Sequence, residues 1–356
     1  MKVAPILRSL GQWPDCRSVL VHTGQHYDAN MNEIFFQDLV LPKPDVWLGV
    51  GSGTHAEQTA RVMLGFEPVV REQRPDVVVV VGDVNSTLAC TLVAVKLGIP
   101  VAHVEAGLRS FDRTMPEEIN RLVTDALADL LFTPSEDGDA NLQREGIPAE
   151  RIYRVGNVMA DSLLDALPLV EKRSILASLG LSAKQYGLVT LHRPANVDTP
   201  EMLSQLTALV TSLAHKLPLA MPLHPRTTAN LQRFGLLDQW QNTPGLTVLP
   251  PLGYLDFVAL MSQAAYVLTD SGGIQEETTI LNVPCLTLRL NTERPVTVTL
   301  GTNTLVGDQL DAVAAHVDAI LAGHGKSGTV PPLWDGHASD RIVDVLRQRF
   351  SSRAGR

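Results

Sequence analysis

The chain has 356 residues, a net charge of −9 and no block of Lys or Arg, which suits two ordinary domains and excludes a nucleic-acid or anionic-membrane surface as its main business. Cys16, Cys90 and Cys285 lie far apart with no CxxC pair and no Cys/His cluster, so reduced thiols and no bound metal are expected. No basic-then-apolar leader and no apolar run near 18 residues occurs, which predicts a cytoplasmic protein in which the Asn85-Ser86-Thr87 sequon meets no glycosylation machinery.

Short β-branched runs alternate with amphipathic stretches along the whole chain, the pattern of parallel sheets with crossover helices. The fold class is therefore α/β, two Rossmann-like doubly wound domains facing a cleft. The first half gives strands at 19–23, 76–83, 100–106, 130–134 and 152–156. The all-apolar run Val77 to Val81 suits a strand buried on both faces. Helices are expected at 55–74 after Thr54, at 86–97 with Asn85, Ser86 and Thr87 as caps, and at 117–129 opened by Pro116. GVGSGTHAEQT (49–59) formally matches a dinucleotide fingerprint, but no acidic residue clearly ends a second strand about 20 residues on. A flexible loop with Thr54 capping the next helix is the better reading, and no nicotinamide cofactor is predicted.

The second half gives strands at 186–192, 217–224, 246–251, 264–270 and 283–288, and helices at 200–216, 227–237, 254–263 and 273–281. Residues 160–185 are mostly helical and polar, so the boundary falls there: 1–165 for the first domain and 166–337 for the second. A last amphipathic helix at 338–350 could pack back on the first. Ligands are expected at the carboxyl ends of the strands and in the cleft.

Chemistry gathers at those strand ends. Asp83 closes one central strand and Glu105 reaches the same edge from its neighbour. In the stretch HVEAGLRSFDRTMPEEINR (103–121), Glu105, Asp112, Glu117 and Glu118 stand beside Arg109, Arg113 and Arg121. A run like this is ordinarily a solvated helix face, yet it follows directly on an apolar strand. In the second half, His192-Arg193 and His224-x-Arg226 end adjacent strands and read as a phosphate-facing rim. AAYVLTDSGGIQEE (264–277) is the sharpest signal. A strand ends at Asp270, Ser271-Gly272-Gly273 lets the backbone approach a ligand, and a helix start with free amides suits phosphate. Glu277 sits one turn in, where a carboxylate can grip ribose hydroxyls.

Taken together, TGQHYD (23–28), GD-x-NST, HVEAGLRS…PEEINR, LHRPANVD (191–198), DSGGIQEE and NTERPVTVTLGTNTLVG (291–307) resemble the non-hydrolysing UDP-N-acetylglucosamine 2-epimerases, in order from residue 2 to about 350. The resemblance implies a glycosyltransferase-B-like pair of domains, a homodimer, and interconversion of UDP-GlcNAc and UDP-ManNAc with no cofactor or metal. It implies catalytic roles for Asp83, Glu105, Glu117, Arg121 and His192. It implies UDP binding by the turn of Ser271, Gly272 and Glu277, to which the reading of the residues themselves adds Gly273 and the rim residues Arg193 and His224. The arginines of 103–121 would hold the anionic leaving group. Gln25 and His26 correspond to a region that in some members helps bind a second, regulatory substrate molecule; the same residues also read as a plain turn.

The chain departs from the family twice. Ala195 stands where many members have Glu in His-Arg-x-Glu-Asn. Family members also carry an apolar strand and a Gly-Thr-Arg-Pro-Glu loop before the segment that here is Lys2-Val3-Ala4-Pro5, so the 356-residue form is expected to be a shortened chain of low stability or weak activity. These departures keep other readings open: a nucleotide-sugar-binding or regulatory protein without turnover, a 2-epimerase of a modified sugar such as a UDP-2,3-diacetamido-hexuronate, or a glycosyltransferase of the same architecture.

Overall fold

The computed structural model describes residues 1–25, 38 and 41–351. They form two compact units, residues 1–165 with the stretch from Pro332 onward, and Ala166–Pro331.

In the first unit, β1 (Val21–His22) pairs with β2 (Val46–Trp47) as a sheet of two parallel strands. A second sheet runs in the order β3 (Val78–Val81), β4 (Val101–Val104), β5 (Leu130–Thr133) and β6 (Ile152–Arg154), all parallel. Alternation sends Val78, Val80, Val101 and Leu131 to one face with Phe66 and Val93, and Ala102, Val104 and Phe132 to the other with Ile6, Ile342 and Leu346. Burying apolar side chains on both faces is what a parallel sheet requires. The helix Ala338–Phe350 thereby packs against the first unit's sheet. Its first amides are held by Asp161, which accepts from Ala338 and Ser339.

The helix His55–Gln73 opens with a capping box, Thr54 accepting from the Glu57 amide while Glu57 accepts from that of Thr54. This is why GVGSGTHAEQT ends as a capped helix. Two local expectations fail. β3 is the outer strand of its sheet, so Val79 and Val81 stay half-buried. The helix Asn85–Lys96 has Val84 at its N-cap with no side-chain cap, because the Asn85 amide is used elsewhere, reaching His55 and Gln58 on the preceding helix.

The second unit is a single parallel sheet in the order β12 (Asn303–Leu305), β11 (Cys285–Thr287), β10 (Tyr266–Thr269), β7 (Gly187–Thr190), β8 (Leu219–Pro222), β9 (Leu246–Leu249). The strand order reverses between β7 and β10, so their carboxyl ends are the switch point at which open α/β sheets bind ligands. Val189, Leu191, Met221, Tyr266 and Leu268 centre its core. The helix expected over 227–237 is two, Pro225–Arg233 and Leu237–Gln241, broken at Gly235, whose φ of +71° ends the first turn run. The short strands β2 and β12 were not foreseen.

Candidate active site

The carboxyl edge of the first unit gathers four of the five groups singled out for chemistry. β3 is followed by Gly82, whose φ of +76° turns the chain so that Asp83 stands at the tip. On the adjacent strand Glu105 follows β4 with φ +70°, a conformation that costs a non-glycine residue on the order of 1–3 kcal/mol and collects at functional sites. A Cβ on Gly82 would lie 3.6 Å from Glu105 Oε2, so the two acidic residues are neighbours. Glu105 is buried. Lys2 forms an ion pair with its Oε2, while Oε1 is buried with no hydrogen-bond partner among the described residues.

The helix Pro116–Leu127 brings the remaining pair. Arg121, buried, donates through Nη1 to Asp83 and through Nη2 to Glu118 at 2.7 Å. Glu118 also accepts from the Ser110 and Phe111 amides, at 2.9 and 3.0 Å. Burial works against its charge, but the Ser110 amide and Arg121 hold its pKa below the ordinary range. Glu117 sits half-buried in the first turn, one helical turn before Arg121 and on the same side of the helix.

Beneath this edge lies a layer that is not solvated at all. Asp125 Oδ2 accepts from the Gly107 amide at 3.0 Å and pairs with Arg109 at 2.7 Å, while its Oδ1 is 2.6 Å from His103 Nδ1. Arg109 is also forked onto Glu145. The expectation that the arginines of 103–121 hold a leaving group is corrected for Arg109, which is 2% exposed and fully engaged inside the fold. Gln25 Oε1 accepts from the Ser86 amide and hydroxyl, at 3.0 and 2.7 Å, and so ties the segment after β1 to the helix that follows Asp83. His26 lies outside the described residues.

In the second unit the switch point is organised by Asp270, buried at the end of β10. It accepts from the backbone amides of His192 and Arg193 and from the Asn196 side chain, and lies 2.9 Å from His192 Nδ1. Burial opposes its charge, but these donors keep its pKa depressed. The His192 and His224 rings stand 5.2 Å apart. His224 Nδ1 accepts from the Arg226 amide, leaving Nε2 as the protonated nitrogen of the neutral ring, and burial followed by the nearby His192 lowers its pKa. Of the residues expected on a phosphate-facing rim, Arg226 is taken up by Asp198, onto which it is forked.

Ser271 precedes the helix Gly272–Ile280, which starts without a side-chain cap. A Cβ on Gly272 would fall 2.7 Å from Arg294 Nη1, whereas the space beside Gly273 is open. Arg294 therefore lies against the glycine turn, paired with Glu276 at 2.9 Å and Glu293 at 3.5 Å. Glu277 is buried and accepts from Tyr254 at 3.0 Å; burial pushes its carboxyl up to about 7. Sequence reasoning named Glu118 without giving it a role of its own, and gave none to His103, Asp125 and Arg294. The spacing Glu118-x-x-Arg121, which places an acid and a base one turn apart, was the available signal for the first.

A family model described as UDP-N-acetylglucosamine 2-epimerase matches residues 8–347. A UDP-N-acetylglucosamine 2-epimerase of Methanocaldococcus jannaschii is 44% identical over 97% of this chain and 95% of its own length. A UDP-2,3-diacetamido-2,3-dideoxy-D-glucuronate 2-epimerase of Pseudomonas aeruginosa is 40% identical over 97% of this chain and 96% of its own. The crystal structure of the Methanocaldococcus enzyme in complex with UDP-GlcNAc and UDP superposes with a TM-score of 0.90, covering 98% of this chain and 96% of that one.

Proposed function

The chain belongs to the UDP-N-acetylglucosamine 2-epimerase family, and from that premise we propose that it interconverts UDP-N-acetylglucosamine and UDP-N-acetylmannosamine. The proton on C2 of the sugar is not adjacent to a carbonyl in the ring, so direct abstraction by a side chain is out of reach. When the C1–O bond to UDP breaks, positive charge grows at C1. A carboxylate then takes the C2 proton, its electron pair becomes the C1–C2 double bond, and UDP departs with the C1–O pair. Return of a proton to the opposite face of C2, with a UDP oxygen re-adding at C1, gives the epimer with no net oxidation and no water consumed.

The two units divide this work. Asp83, Glu105 and Glu117 serve proton transfer, with Arg121 fixing Asp83. His192, Arg193, His224 and the turn Ser271-Gly272-Gly273 hold the diphosphate, whose negative charge rises as it leaves. Glu277 serves the nucleoside end of UDP. The observation that carries the reading is Glu105: a carboxylate in a strained backbone conformation beside Asp83, with one oxygen bound to Lys2 and the other lacking a hydrogen-bond partner among the described residues. An unpartnered carboxylate oxygen is a proton acceptor held ready.

Incubation with either epimer alone should reach one common mixture of the two UDP-sugars. Accumulation of free sugar and UDP, or binding of UDP with no change in the sugar, would contradict the proposal. The Pseudomonas relative and Ala195 make the UDP-2,3-diacetamido-hexuronate the competing substrate, and the ratio of kcat/KM for the two sugars decides between them. The family resemblance further supports a cytoplasmic homodimer, which sedimentation velocity of the purified chain tests for its dimeric part.

A further inference from the structure

His103 carries no role in the chemistry above, yet its ring lies at the centre of the first unit's site. It is completely buried on β4, two residues before Glu105. Nδ1 is 2.6 Å from Asp125 Oδ1, and Nε2 is 2.8 Å from the carbonyl oxygen of Gly82, the residue immediately before Asp83. A carbonyl oxygen only accepts, so Nε2 carries a proton. Asp125 already accepts from the Gly107 amide and pairs with Arg109, which keeps it ionised and acceptor-only, so Nδ1 carries a proton too.

We infer that His103 is a permanently charged imidazolium that positions Asp83 by clamping the Gly82 carbonyl. The location gives the clamp its purpose. β3 is the outer strand of its sheet among the described residues, and the backbone of Gly82 is held from the β4 side at both ends, its amide by Val104 and its carbonyl by His103, while Asn120 and Arg121 hold Asp83 beyond it. Gly82 sits in a left-handed conformation, where a small rotation would swing Asp83 away from Arg121 and Glu105. The ring also puts a full positive charge in a dry interior, near Glu105.

The charged groups facing the ring are Asp125 from the helix Pro116–Leu127 and Glu105 from its own strand, with Arg109 reaching Asp125 and Lys2 reaching Glu105. Burial alone would strip the ring of its proton, but Asp125, the Gly82 carbonyl and Glu105 outweigh it and raise its pKa.

The positioning role rests on the epimerase reading, whereas the charge does not, and one pair of measurements separates them. In the wild-type enzyme labelled with 15N-histidine, His103 should keep two ring N–H protons as pH is raised through and beyond the ordinary histidine range. A single ring proton, or loss of one with a midpoint near 6.5, overturns the inference. In His103→Gln, which can serve one partner and carries no charge, kcat should fall on the order of a hundredfold, as for a reacting group displaced by about 1 Å, with KM little changed. The acid limb of its pH profile should move to higher pH, because the lost cation no longer favours ionised carboxylates. An unchanged kcat and profile would refute the positioning role. Two ring protons in a wild-type enzyme that exchanges no C2 hydrogen would uphold the charge and count against the epimerase reading alone.

Discussion

Asp83, Glu105 and Glu117 can each be made neutral without emptying space, so their chemistry can be separated from their packing. Asp83→Asn leaves Arg121 paired with Glu118, and the fold should tolerate it. For D83N, E105Q and E117Q, kcat should drop by roughly 10²–10⁴ while calorimetric affinity for UDP stays near that of the parent. Equal loss of UDP affinity would move these residues out of proton transfer and into binding. Glu277 makes a different prediction, because its carboxyl is held at about 7 against an ordinary 4.5. A raised folded pKa means that the folded state keeps a proton which the unfolded state has lost. Stability is therefore full below about pH 4.5, falls as pH rises toward 7, and then levels. Glu277→Gln removes that titration while its amide oxygen still accepts from Tyr254, so melting temperature should decline less across this window than in the parent. At this scale sequence reading found charged residues at strand tips, such as Asp83 and Glu105, because each directly follows an apolar run. It missed groups such as Asp125 and His103, because a buried ion pair leaves no periodic signature and its partners lie far apart in the chain.

Among elements, glycine and cap chemistry decide what the strand ends can do. The open space beside Gly273 at a helix start with no side-chain cap is where a phosphate can meet backbone amides. Gly273→Ala fills that space without a backbone clash, so UDP affinity should weaken while unfolding free energy holds within about 0.5 kcal/mol of the parent. A loss of stability as large as the loss of affinity would make Gly273 structural. Thr54→Ala should act the other way, removing a capping-box partner worth about 1 kcal/mol and lowering melting temperature with kcat unaffected. The Thr54-x-x-Glu57 box was legible because its signature is local. The reading of Asn85 as a cap failed for the opposite reason: a side chain that can cap its own helix was recruited by a neighbouring one, a choice made by tertiary contacts.

Across the whole molecule, alternation of β-branched runs with amphipathic helices was enough to give two parallel α/β sheets, since burying both faces of each leaves few alternatives. It could not foresee that β1 and β2 stand as a pair of their own, because two-residue strands carry no period. Nor could it foresee that β3 is an outer strand of its sheet among the described residues. Motif order along the chain carried the functional reading; within the first unit acids stand at the tips of β3 and β4, and within the second a glycine turn and histidines stand at the switch point of β7 and β10. The central claim is that a hydrogen leaves and returns at C2 while UDP stays bound. Proton NMR of UDP-N-acetylglucosamine incubated with the enzyme in D2O tests it directly. The account predicts deuterium at C2 in both epimers with no net release of UDP; epimer formation that retains the original C2 proton, or UDP release without exchange, would contradict it.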